Sequence, residues 1–563
     1  MNKEIAAPAI GSNDEVTAWL EEFRAKHGRP PRILHIGNIA NNAYLNAKLL
    51  NRAGLDCDVL CYDYYHIMGC PEWEEADFDS ARLDHFRPDW TSVDLNGYQR
   101  PRWYVQGPLE LCVKYLLARR SGRFREEKHL WISLAYINKT ARAPRPDQEE
   151  RWWVLAQAFR RRLRRASADP NAVARKVNEL EQRLRSRMKS EWTARFIHIA
   201  FRCVCRICGP VYRRVLDLWR GVGRPHTAER GNYDFGERTQ ELQRLFRILF
   251  PERTDLLTAE DIMPYRGIID LCACLFACYD VVQAYATDPI LPMIARRPYV
   301  AFEHGTLRAF TMDALAVHRL TALAYRLANH VLITNGDCID YAHRLGITRF
   351  SPMIHPVDID QHRAVYDEGA AQIRERHGAR CLMLCPLRHD WEVKGTDIHL
   401  RALPLIKRMV PGKVVLMLCR WGWDIDASEQ LIEDLGCQGN VVWLEPLCRT
   451  RLIQHTRASD VVLDQMALPH FGATAPQALA VGTPVVMSYR LESTRWIVPE
   501  PAPILAAFTP EDVAAAVVKA LDHEWRVSFQ RAVLRWVDAY HHHRRVATDH
   551  MRIYREYVGT PLT

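Results

Sequence analysis

Five apolar runs in the C-terminal half, each trailed by a helical pattern, constrain this chain most. They are Cys381-Leu382-Met383-Leu384-Cys385, Lys413-Val414-Val415-Leu416-Met417-Leu418, Val441-Val442-Trp443-Leu444, Asp460-Val461-Val462-Leu463 and Pro484-Val485-Val486-Met487. Short unbroken runs rich in Val and Leu are what parallel strands covered on both faces require. Strand and helix in strict succession therefore predict a doubly wound α/β sheet.

The N-terminal half repeats the theme less regularly. Arg32-Ile33-Leu34-His35-Ile36-Gly37 reads as a strand, and Asn42 to Arg52 as a helix with Leu45, Leu49 and Leu50 on one face. Gly54 stops that helix, and Cys57 to Tyr62 reads as a second strand, which completes a βαβ unit. Alternation resumes with strands at Tyr279–Ala284, Pro298–Phe302 and His330–Thr334. The expected organisation is an N-terminal Rossmann-like domain over 1–358, interrupted by a helical insertion at about 101–260. A second Rossmann-like domain over 359–522 follows. A helical tail, 523–563, is expected to pack back on the first domain.

Composition narrows the class further. The chain has 563 residues, 48% of them hydrophobic, enough for more than one core. Its start lacks the basic-then-apolar pattern of a signal peptide, no run reaches the 18 apolar residues of a spanning helix, and the 16 Cys form no regular framework. The expected compartment is cytoplasmic, with a peripheral position at the inner membrane face as the variant reading. The net charge of +9 is concentrated: 141–220 holds 20 Lys and Arg against 8 Asp and Glu, so the rest is slightly acidic. With Trp, Phe and Ile interleaved through Trp192 to Trp219, that segment suits an anionic membrane surface or a solvated insertion. No nucleic-acid-reading motif accompanies the charge.

Two segments carry the chemistry. Pro386 to Gly395 follows a strand and precedes a helix, and it holds Arg388 and Lys394, two cations suited to phosphate oxygens. Asp464 to Val486 runs strand, loop, helix, strand. Phe471, Gly472, Ala473 and Thr474 lie at a helix start whose N–H groups can face an anion, and Gln477 lies one turn inside. Together these segments resemble the donor site of the GT-B-fold glycosyltransferases of family 4. That family carries an Arg and a Lys six residues apart ending in Lys-Gly, as in Arg388 and Lys394-Gly395. Its Glu-Ala-Met-Ala-x-Gly-x-Pro-Val-Val element is similar to Gln477-Ala478-Leu479-Ala480-Val481-Gly482-Thr483-Pro484-Val485-Val486. Asp464-Gln465 and Phe471-Gly472 resemble a bacterial subgroup. The family's paired Glu residues align with Pro469 and Gln477, so both carboxylates are absent.

The resemblance implies a GT-B architecture, two Rossmann-like domains facing a cleft. It implies a retaining glycosyltransferase that moves a sugar from a nucleotide-diphosphate sugar to a glycan or lipid-linked acceptor. No cofactor and no metal are required, because protein cations replace the metal at the diphosphate. It further implies roles at the cleft for His304 and for Glu303, which would orient His304. Gly37 and Asn41 of the first loop would contact phosphate or acceptor, and backbone near Leu447 would meet the base. A non-catalytic nucleotide-sugar-binding relative and a membrane-surface scaffold stay open as alternatives. Cys203, Cys205 and Cys208, with Cys272, Cys274 and Cys278, read as packed thiols ahead of a zinc site. His541-His542-His543 reads as solvated tail.

Overall fold

The computed structural model describes residues 13–81, 83–140, 234–309, 315–364, 367–469 and 472–557. The basic stretch 141–220, with Cys203, Cys205 and Cys208, lies outside the described residues, as do His470 and Phe471.

Two parallel sheets organise the chain. The first contains β1 (Arg32–Ile36), β2 (Asp56–Tyr62), β3 (Tyr104–Gly107), β4 (Val281–Tyr285), β5 (Val300–Glu303), β6 (His330–Ile333) and β7 (Phe350–Pro352). Their order is β3-β2-β1-β4-β5-β6-β7. The second contains β8 (Cys381–Cys385), β9 (Val414–Cys419), β10 (Val441–Leu444), β11 (Val461–Leu463), β12 (Val485–Met487) and β13 (Leu505–Ala506), ordered β10-β9-β8-β11-β12-β13. Each sheet starts in its middle, runs out to one edge and returns beside its first strand. The carboxyl ends of β1 and β4, and of β8 and β11, therefore flank the switch points where open α/β sheets leave a crevice. This is the two-lobed Rossmann-like α/β architecture expected from the sequence.

The unbroken apolar runs are explained by burial on both faces. Along β8, Leu382 and Leu384 join one core cluster, while Cys381, Met383 and Cys385 join the other. Alternate side chains point to opposite faces, so a strand helix-covered on both sides has no polar position to spare.

The stretch expected to be helical from residue 101 begins otherwise, because Tyr104–Gly107 forms the edge strand of the first sheet. Four residues ending in Gly are too few to display a period. The C-terminal helices join the lobes. His523–His541 packs Phe529, Val533 and Trp536 into the second lobe's core. After a bend at His542, the helix His543–Tyr557 lays Ala547, Met551 and Tyr554 on the first lobe's core. Tyr554 donates to Gln283 of β4 at 2.8 Å. His541, expected in solvent, is fully buried with its ring 5.1 Å from Trp536, because the bend between the two helices is itself packed.

Candidate functional site

The crevice at the carboxyl ends of β8 and β11 is assembled by a close backbone approach. Met466 N donates to Lys394 O at 2.8 Å, which holds the loop after β8 against the loop after β11. Gly395 makes this contact geometrically feasible. Its φ is +65°, and an added Cβ would lie 2.9 Å from Met466 Cβ and 3.1 Å from Ala467 N. A glycine therefore follows the lysine for steric reasons.

Lys394 is drawn inward and donates to Gln465 Oε1 at 2.7 Å. Burial pushes its ammonium below the usual lysine value. The Asp464 carboxylate pulls the other way, and the charges of Arg388 and Arg308 push further down. Arg388 lies 3.1 Å from Asp390, and its Nε has no protein partner. Arg308 comes from the other lobe, in the short helix Thr306–Ala309 after β5, and is steadied by Asp337. Three cations from two lobes thus share one field, an arrangement suited to a polyanion. Sequence reasoning missed Arg308. Nothing in its local pattern marks it, since only the fold brings it within electrostatic reach of Lys394.

The helix start after β11 is weaker than expected. The helix Thr474–Ala480 has seven residues, and Pro476 removes one of its early N–H groups. The Ala475 N–H bonds Asp464, whose carboxyl burial pushes upward in pKa. Gly472, Ala473 and Thr474 are half-buried beside the crevice, while Phe471 lies outside the described residues. Gln477 is buried, and its Oε1 accepts from Arg449 at 2.6 Å. The same guanidinium bonds both Glu74 oxygens, at 2.9 and 3.2 Å, and Glu74 belongs to the first lobe. Gln477 is therefore positioned by a cross-lobe ion pair that no sequence signal announces. Leu447 lines a cavity beside this group, with Pro386, Trp421 and Arg449.

On the first lobe, His304 follows β5. Burial lowers its pKa to about 4, so the imidazole is neutral, and its Nε2 has no protein partner. Glu303 does not orient it as expected. Its Oε1 accepts from Gly305 N and from Cys338 Sγ, the latter at 3.1 Å, and burial raises its carboxyl to about 7. The carboxyl shapes the turn because β5 directs it inward while His304 faces the opposite side. Asn41 is likewise spent on structure. It is buried, donating to Cys70 O at 3.0 Å and accepting from Asn38 at 2.9 Å. Gly37 lies against Asp288, where an added Cβ would sit 2.0 Å from the Asp288 carboxylate. Among the described residues no group of three His, Cys, Asp or Glu is arranged to hold a metal, and no helix is long and apolar enough to cross a membrane.

Residues 379–523 match the family described as glycosyl transferases group 1. The matched span is the second lobe, with Arg388, Lys394 and Gln477 inside it. No curated protein matches the sequence. Among solved structures, the chain is similar to Anabaena Alr3699/HepE in complex with UDP, at 17% identity and TM-score 0.44, covering 52% of this chain and 82% of that one. It is similar to sucrose-phosphate synthase from Thermosynechococcus elongatus, at 15% identity and TM-score 0.39, covering 52% and 79%. A glycosyltransferase from Rickettsia africae ESF-5 is similar at 12% identity and TM-score 0.39, covering 60% and 85%.

Proposed function

We propose that the chain is a glycosyltransferase that moves a sugar from a nucleoside-diphosphate sugar to a hydroxyl of a glycan or lipid-linked acceptor. The observation that carries this reading is the half-buried Lys394, which lies in the span matching glycosyl transferases group 1 and is held between the loops after β8 and β11 in the field of Arg388 and of Arg308 from the other lobe. A departing diphosphate would gain most there, because low dielectric strengthens its attraction to fixed cations. As the bond from the anomeric carbon to phosphate oxygen breaks, Arg388, Lys394 and Arg308 take up the developing charge. The acceptor oxygen bonds that carbon on the same face and passes its proton to the leaving phosphate, so configuration is retained without a metal. His304, kept neutral, is suited to hydrogen-bond a sugar hydroxyl through Nε2. The Gln477 amide nitrogen is suited to a ribose oxygen. The basic segment 141–220 suits an anionic membrane surface where a lipid-linked acceptor would reside.

A second reading is favoured by one observation. The Gln477 oxygen, which stands where the family's carboxylate would be, is engaged by Arg449. On that reading the chain binds a nucleotide sugar without transferring it. Titrating pyrophosphate, UDP, GDP and ADP by calorimetry, followed by a product assay with the matching sugar donors, separates the two. Arg388→Ala and Lys394→Ala should each lower turnover by about 10²–10³-fold. Unchanged turnover in both would refute the site, and binding without product across the donors would favour the second reading.

A further inference from the structure

Between β2 and β3 the first lobe runs a long excursion, residues 63–103, that crosses to the second lobe. It is anchored at both ends of its span. Toward the first lobe, Asn38 donates to Gly69 O at 2.8 Å, Asn41 to Cys70 O at 3.0 Å and Gln106 to Tyr64 O at 2.8 Å. Toward the second lobe, Ser80 donates to Pro446 O and Cys448 Sγ to Phe78 O at 3.6 Å. Arg449 bonds Glu74, and Arg451 bonds Asp77 at 2.9 Å. Ile67, Trp73, Ala76, Phe78 and Leu83 form a small core of their own that takes in Cys448. A segment tied by this many buried partners is a fixed wall and not a loose flap.

The wall closes a cavity. His66, Met68, Trp73 and His85 line one side of it, and Trp421 and Leu447, from the loops after β9 and β10, line the other. A second, smaller cavity holds Thr474 and Gln477 and shares Pro386, Arg449 and Leu452 with the first. Pro386 in turn precedes Arg388 by two residues. The two cavities therefore adjoin at Pro386, Arg449 and Leu452, next to the loop that carries Arg388, with Gln477 in the smaller and the aromatic side chains in the larger; on the nucleotide-sugar reading the larger is the one suited to the base. Flat aromatic and thioether side chains suit the face of a heteroaromatic ring. His66 adds polarity of one kind. Burial lowers its pKa to about 4, and its Nδ1 accepts from Met68 N at 3.2 Å, so its ring proton is on Nε2. The imidazole is a donor there, suited to a carbonyl oxygen or unprotonated ring nitrogen.

We propose that the first lobe supplies half of the nucleobase pocket through this wall, so that base recognition is a two-lobe property with His66 and His85 as specificity-determining residues. This rests on the nucleotide-sugar reading above. The expected test is calorimetry of the full chain with four probes: UDP, GDP, ADP and pyrophosphate. In the double variant His66→Ala/His85→Ala, the tightest-binding nucleoside diphosphate should lose at least tenfold in affinity, its margin over the other two should shrink, and pyrophosphate should stay within twofold. Lys394→Ala should weaken all four probes. Unchanged nucleotide affinities in the double variant overturn the proposal, as does an equal loss for pyrophosphate, which would mean the crevice itself had collapsed. Wild-type protein that binds none of the four refutes the nucleotide-sugar reading, and this proposal with it.

Discussion

Removing Glu74 should free the crossing segment from the second lobe. The residue is 1% exposed and Arg449 is 8% exposed, with two bonds at 2.9 and 3.2 Å between them. A surface ion pair would contribute about 0–1 kcal/mol, but this pair is out of water. Taking away one partner of a buried pair leaves an uncompensated charge and costs about 3–5 kcal/mol. The Gln477 amide, the remaining partner of Arg449 at 2.6 Å, is neutral and cannot replace a carboxylate. Native-state hydrogen exchange reads this locally. The amides of Ile67, Gly69, Cys70 and Trp73 bond to carbonyls within the segment and should exchange when it lifts. In Glu74→Ala they should exchange on the order of a hundred- to a few thousand-fold faster, while β8 and β9 amides keep their rates. A double variant, Glu74→Leu/Arg449→Met, should recover most of the loss, because no buried charge remains. Acceleration below about fivefold in Glu74→Ala, which corresponds to about 1 kcal/mol, would mean that water screens the pair and that the apolar core of Ile67, Trp73 and Phe78 fastens the segment alone.

Three further outcomes follow from the same geometry. Because Lys394 is held below its ordinary pKa, a bound diphosphate should raise it. Pyrophosphate binding should then take up protons and weaken as pH rises through the free-state value, measurable by calorimetry in buffers of different ionisation enthalpy. Gly37→Ala places a Cβ 2.0 Å from the Asp288 carboxylate at φ +89°, and should cost at least about 2 kcal/mol in urea unfolding of the first lobe. Burial opposes the Asp358 carboxylate, but Lys48 and Arg52 outweigh it and hold the pKa at about 2, against 3.8 ordinarily. Its contribution of about 2 kcal/mol should be present above pH 4 and lost as pH falls toward 2, and Asp358→Asn should remove that acid dependence of the urea midpoint.

Most strands of the two sheets, and the loops flanking the second lobe's crevice, could be read from the sequence. Cys381–Cys385 and Val441–Leu444 are strands with the bounds their residues imply: the first is buried on both faces, and the second, at the sheet edge, is half-buried along its length but still apolar at every position. The placement of Arg388, Lys394 and Gln477 beside that crevice followed for a similar reason: each lies at a fixed offset from such a strand, so local order fixes where it emerges. The short edge strands Tyr104–Gly107, Phe350–Pro352 and Leu505–Ala506 were not legible, since two to four residues carry no periodicity.

Which groups meet across the lobes was set by the packing of the folded chain and by nothing local. Arg308 comes within electrostatic reach of Lys394 from 86 positions away in the chain, and Glu74 reaches Arg449 across 375. The same packing turned Glu303 toward Gly305 and Cys338, and it spent Asn41 on Cys70. A side chain's partners depend on distance in space, and beyond a few residues sequence separation says nothing about that distance. Hydrophobic period is a local property and can be read along the chain, whereas charge pairing across a crevice exists only after the chain has closed on itself.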